Sequence, residues 1–172
     1  RYLNPPLSPL LILTSLRDSQ SFPKQHSSLY CEGLLWEHSW KQLPEQPHYD
    51  WERLQPQLGG ALDPDEIQNL RYMLGVAKSL NRNVILSMHN AGRYTMRVDG
   101  VPTACGLEES IGGSVRVTAQ HFAEFWSRMS HALCGLPNLR GYGLVSAAHD
   151  LPEGAWQMSS QSAVDSIRED GD

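Results

Sequence analysis

The stretch Arg140-Gly141-Tyr142-Gly143-Leu144-Val145-Ser146-Ala147-Ala148-His149-Asp150-Leu151-Pro152 decides the fold. It begins as a short apolar strand spanning Leu139 to Val145, opens into small residues, and ends in a polar loop ahead of a helix. In a chain of strand–helix units, the loop after a strand is where a reacting or ligand-binding group sits.

Working back from it, the same alternation recurs. Thr118 is placed to cap a helix whose Phe122, Phe125, Trp126, Met129 and Leu133 form one apolar face, closed by Gly135 to Asn138. Val84-Ile85-Leu86-Ser87-Met88 is a short, continuous apolar run, the pattern of a parallel strand covered on both faces. Asp63, Pro64 and Glu66 make a capping-box start for a helix carrying Ile67, Leu70, Leu74, Ala77 and Leu80. Asp50 to Pro56 reads as the end of an extended segment, and Gly59-Gly60 as a turn. Between residues 95 and 117 runs a glycine-rich connection in which alternation around Met96 and Val98 predicts a small hairpin. Pro152 opens a last helix through Trp156, Ala163, Val164 and Ile167. Before residue 49 the chain is rich in Pro, Ser and Gln, with Leu10 to Leu13 a candidate strand and Leu29 to Trp40 a candidate short helix. The organisation expected is an irregular segment 1–48 followed by a folded unit 49–172.

Extended, helix, strand, helix, strand, helix means right-handed parallel α/β units. Periodicity leaves an open sheet and part of a barrel equally open. At 172 residues the chain is long enough for one real core, but short of the ~250 of a complete eight-fold barrel. A net charge of −5 without any Lys/Arg block argues against a nucleic-acid binder. Leu7 to Leu16 is apolar like the core of a signal peptide, but Pro9 interrupts it and no cleavage-site pattern frames it. It is too short to span a membrane. A soluble chain is expected, secretion and a cytoplasmic location being equally compatible. Cys31, Cys105 and Cys134 have neither close pairing nor metal spacing, so buried free thiols are expected, with one disulfide plus a leftover thiol the alternative. No metal cluster, phosphate loop or Ser/His/Asp arrangement stands out, and no metal or cofactor is expected.

Four blocks between Trp51 and Asp172 resemble glycoside hydrolase family 5, the cellulase family. Trp51-Glu52-Arg53-Leu54-Gln55-Pro56 with Leu62-Asp63 is similar to the loop and helix start after the family's second strand. His89-Asn90 with Gly92-Arg93-Tyr94 resembles the third-strand motif His-Asn-Tyr-Gly-Arg-Tyr. Phe122-Ala123-Glu124-Phe125-Trp126 resembles the third helix. Gly141 to Pro152, with Ala155-Trp156 and Ala163 to Arg168, resembles the fourth strand and helix, where the family reads Gly-Leu-Met-Asn-Glu-Pro-His-Asp. The resemblance implies an α/β fold, a partial (β/α)8 TIM barrel amounting to roughly its first half, and a β-linked oligo- or polysaccharide as partner.

It also implies a chemistry that this chain lacks. Retaining hydrolysis uses two carboxyl groups about 5–5.5 Å apart. The resemblance places the acid at Ala147, which transfers no proton, and gives the nucleophile's strand no counterpart. Ser146 stands for the Asn that orients the sugar's 2-hydroxyl. Ala91 replaces the Tyr after His89-Asn90, and Gln46 to Tyr49 occupy the place of a second-strand Arg. His89 is the surviving sugar-facing residue by resemblance. Asn90, Tyr94, Ser146 and His149 complete the candidate substrate-binding set, with loop support the plainer role for Asn90. Trp51, Tyr94 and Trp156 are candidates to stack on sugar faces, with core packing as the plainer reading. Glu52, Glu108, Glu109 and Asp150 are substitute carboxylates by composition alone. Glu108-Glu109 reads as a solvated pair and Asp150 as a helix cap. An inactive cellulase-like chain is expected. The alternative is a sugar-binding relic, or one that self-associates through open sheet edges.

Overall fold

The computed structural model describes residues 10–14 and 50–169. Along them run β1 (Leu10–Thr14), the short helix α1 (Trp51–Leu54), α2 (Pro64–Ser79) and β2 (Asn83–Ser87). The hairpins β3 (Arg93–Val98) with β4 (Val101–Gly106) and β5 (Ser110–Ile111) with β6 (Ser114–Val115) follow, then α3 (Ala119–Leu133), β7 (Leu139–Gly143) and α4 (Ala155–Glu169). β1, β2 and β7 form a parallel sheet in that spatial order. β1 runs in register with β2 from Leu10 opposite Asn83 to Thr14 opposite Ser87. β2 and β7 shift register after Val84, so Ile85 faces Gly141. The expected helix over Leu29 to Trp40, and Cys31, lie outside the described residues.

The helices begin where their caps say they should. Asp63 Oδ1 accepts from the amides of Asp65 and Glu66 at 2.9 and 3.0 Å, and Pro64 opens α2. Glu66 does not close the box; it turns to Arg53 at 2.9 Å and ties α2 to α1. α3 carries a full capping box in which His121 takes the place usual for Glu or Gln. Thr118 Oγ1 accepts from the His121 amide, and His121 Nδ1 accepts from the Thr118 amide, both at 3.2 Å. Arg128 of α3 holds the Gly59-Gly60 turn by donating to both carbonyls. α4 presents Ala155, Ser159, Ala163 and Ile167, four residues apart, as its buried ridge, and the small side chains of the first three let it pack closely on α3.

Several expectations need correction. Asp50 to Pro56 does not end a strand: Trp51 and Leu54, one turn apart, both plug the core, and that pairing winds the segment into α1. The last helix starts at Ala155 rather than Pro152, because Gly154 sits at φ +75, outside helical space. Asp150 is therefore no cap. Glu108 and Glu109 are not a solvated pair. Glu108 accepts from the Ala119 amide at the start of α3, and Glu109 accepts from the Gly106 amide at 2.8 Å. Of the described cysteines, Cys105 is buried and Cys134 is exposed, both free. The hairpin expected near Met96 runs to six residues on each side, joined by Asp99-Gly100, both left-handed as a two-residue hairpin turn requires.

The core centres on Trp51, which meets Tyr94, Phe122 and Phe125 at ring-centroid distances of 5.3, 5.4 and 5.4 Å. Its indole nitrogen donates to Gln55 Oε1 at 2.9 Å, and Gln55, itself fully buried, donates onward to the Gly60 carbonyl. Tyr94 donates its hydroxyl to the Gln55 carbonyl at 2.7 Å. Gln55→Ala would orphan the Trp51 N–H and leave the Gly60 carbonyl to Arg128 alone, and is expected to cost about 1–3 kcal/mol in urea unfolding. Tyr94→Phe removes one neutral bond and should cost about 1 kcal/mol.

Burial, and then the nearby Glu52 carboxylate, push the Tyr94 phenol from its ordinary 10.0 up to about 12. The folded chain keeps this proton where the unfolded chain has lost it, so the stability it contributes is complete below pH 10.0 and is lost as pH rises towards 12. Denaturation midpoints across that window should fall more steeply for the unaltered chain than for Tyr94→Phe.

Candidate functional site

The loops leaving the C-terminal ends of β2 and β7 meet over a cleft of about 450 Å³. Met88 opens the first loop by donating to the Gly143 carbonyl, and Ser146 opens the second by donating to the Met88 carbonyl at 2.8 Å. These bonds carry the sheet's register past its last paired residues and bring Ser146 beside His89. At Gly143 the strands are so close that a Cβ would lie 3.0 Å from Ser87 Oγ, which explains the glycine.

His89, Asn90, Ser146, Ala147 and His149 all line the cleft, so four of the five proposed sugar-facing residues come together there. Tyr94 does not. The period-2 alternation of β3 turns its ring inward, where it is 3% exposed and packed on Trp51. Trp51 is fully buried, and Trp156 packs on Phe122 at 6.2 Å. The three aromatic rings thus serve the core and the cleft's support.

Arg93 ties the two loops together. Its guanidinium donates to the carbonyls of Ala91 on its own loop and of His149 and Asp150 on the other, the latter two at 3.0 Å. Asn90 fixes the first loop from within by donating its amide to the Arg93 carbonyl, the loop-supporting role its side chain suggested. Ala91, Ala147 and Asp150 hold φ of 56, 54 and 52, left-handed values that cost an L-residue and concentrate backbone strain around the cleft. His149 Nδ1 meets Asp150 Oδ2 at 2.8 Å, an exposed pair on the rim.

The lining is completed by Asp50 and Glu52 at the start of α1, with Thr95 and Ala104 from the hairpin. Glu52 was a candidate by composition alone; Asp50 was not singled out. Both follow from α1: once Trp51 is committed to the core, its acidic neighbours are left at the edge facing the loops. Among the described residues, Asp50 Oδ1, Glu52 Oε2 and Asn90 Oδ1 are shielded from water with no hydrogen-bond donor. Among the described residues no group of three or more His, Cys, Asp or Glu could hold a metal ion. None of their helices is long and apolar enough to cross a membrane.

No family model matches the chain. Solved structures do. The endoglucanase Cel5A of Pseudomonas stutzeri in complex with cellobiose is 32% identical over 70% of this chain, with a TM-score of 0.57. The endo-beta-1,4-glucanase Xac0029 of Xanthomonas axonopodis pv. citri is 30% identical over 70% of the chain, again with a TM-score of 0.57. XacCel5A in complex with cellopentaose is 26% identical over 72%, with a TM-score of 0.58. The chain covers only 32%, 34% and 35% of these three structures, about a third of each. Parallel strands alternating with helices, the cleft at their C-terminal ends and this likeness together assign the described residues the partial (β/α)8 barrel of a cellulase-like, family 5 type glycoside hydrolase fold.

Proposed function

We propose that this chain binds β-linked gluco-oligosaccharides in the cleft and does not hydrolyse them. The observation that carries the reading is the convergence of His89, Asn90, Ser146 and His149 on one cavity around Ala147. The likeness to endoglucanases, one holding cellobiose and another cellopentaose, favours a glucan ligand. A methyl side chain at Ala147 donates no proton to a leaving oxygen, and loss of a general acid alone removes about 10²- to 10⁴-fold in rate.

Calorimetry with cellopentaose should detect binding, while reducing-sugar release stays at the level of a boiled control. Release above that control would overturn the inactive reading. Installing a carboxyl group through Ala147→Glu should still give no release, because retaining hydrolysis needs a second carboxyl group across the scissile bond.

The Arg93 clamp is expected to hold the cleft in its binding form. Arg93→Ala should weaken cellopentaose binding several-fold and speed amide hydrogen exchange in residues 89–92 and 146–151. Unchanged exchange in both loops would remove the clamp from the account.

A second reading rests on the sheet. Among the described residues β1 and β7 each pair on one side only, and such edges invite pairing with another chain. A sedimentation coefficient that rises with concentration supports self-association; one that stays constant excludes it.

A further inference from the structure

Behind the cleft, one short segment anchors both of its loops to the start of α3. The Leu107 amide donates to the Gly92 carbonyl, in the loop after β2, at 3.0 Å. Leu151 of the other loop packs on the same place: a Cβ built on Gly92 or Gly106 would lie 3.2 or 3.0 Å from its side chain. Glu108 then ties the segment to α3. Its amide donates to the Val117 carbonyl at 2.8 Å, and its carboxylate accepts from the Ala119 amide. The turn it holds is closed by a histidine. The Thr118 amide can only donate, so its 3.2 Å bond makes His121 Nδ1 the acceptor and leaves the ring neutral, with its proton on Nε2.

The Glu or Gln usual at this position accepts throughout the physiological range, whereas an imidazole takes up a proton between about pH 5 and 8. A proton on Nδ1 would set donor against donor at Thr118 and put positive charge at the positive end of the helix dipole. The charged side chains of this region are Glu108 on the preceding loop, Glu124 and Arg128 on α3, and Arg116, which acts on Cys105. The Gly59-Gly60 turn packs on the ring and adds no charge of its own. A Cβ built at Gly59 would lie 3.9 Å from His121 Nε2 and 4.0 Å from Glu124 Oε2, so a charged ring has a carboxylate near it one turn further along α3. We infer that His121 is an acid-sensitive latch. Neutral, it closes the first turn of α3 and with it the Leu107-Glu108 anchor of both cleft loops; protonated, it releases the Thr118 amide and loosens that anchor. The closed turn holds one proton fewer than the open one, so opening is favoured as pH falls. This holds whatever the cleft binds.

Amide hydrogen exchange on the full chain, taken relative to the intrinsic rate at each pH, tests the latch. Protection at Leu107, Glu108, Ala119 and His121 should fall roughly fivefold between about pH 8 and about pH 5, the scale of losing one helix cap. Its midpoint should match the titration of the His121 ring followed by NMR. In His121→Gln, whose side-chain oxygen accepts at either pH, protection should stay level. Nitrogen shifts at about pH 8 should place the ring proton on Nε2. No fall, an equal fall in His121→Gln, a midpoint in the carboxylate range, or a proton on Nδ1 at about pH 8 each overturns the latch. Should the variant not fold, the midpoint and the tautomer of the unaltered chain decide.

Discussion

Burial of Trp51 is the constraint from which the site follows. An indole at zero exposure is costly without a partner for its N–H, and Gln55 four residues on supplies it. Satisfying Gln55 in turn requires the Gly60 carbonyl, and the Gln55 backbone carbonyl receives Tyr94. One ring thereby fixes the short helix α1, the turn that leads into α2 and the first strand of the long hairpin. Phe122 and Phe125 then lock α3 against the same ring. Asp50 and Glu52 flank Trp51 in sequence, so the packing that buries the indole also sets both carboxylates at the mouth of the cleft.

The cleft itself is kept open by backbone chemistry more than by side-chain packing. Loops crossing a sheet end must satisfy their own carbonyls, and Arg93 meets three of them with one guanidinium. This leaves the loops free to adopt left-handed turns at Ala91, Ala147 and Asp150. An alanine tolerates such a conformation only where the surroundings over-determine it. Here the Ser146 amide bond to Met88 on one side and the Arg93 bonds on the other supply that restraint.

Much of this was legible in the sequence, for identifiable reasons. α2 and α3 announce themselves through caps and a sustained apolar face, and β2 through an unbroken apolar run. His89, Asn90, Ser146 and His149 were named through the resemblance to family 5, and the parallel sheet sets the loops that carry them at one end. α1 was hidden because four residues are too few to show a helical period. The roles of Glu108 and Glu109 were hidden because their partners are backbone amides, which leave no mark in a sequence. Tyr94 was a sugar-facing candidate by resemblance with core packing the plainer reading, and the pleat of β3 turns its ring into the core. Glu66 was expected to cap its own helix, but Arg53, brought near by the unforeseen α1, competes for it.

The arrangement of the carboxylates bears on what chemistry the cleft lining offers. A retaining pair must flank the scissile bond, one group at the leaving oxygen and one at the opposite face of the anomeric carbon. Asp50 and Glu52 are two residues apart at the start of one short helix, so both reach the cleft lining from one element. The loop after β7 contributes Ser146, Ala147 and His149, of which Ala147 presents a methyl group and His149 is engaged with Asp150. The fold places its loops as a glycosidase does, while the residues on those loops supply acceptors and a clamp. A shared barrel therefore accounts for the shape of the cleft, and the side chains at Asp50, Glu52, Asn90 and Ala147 must account for what it does.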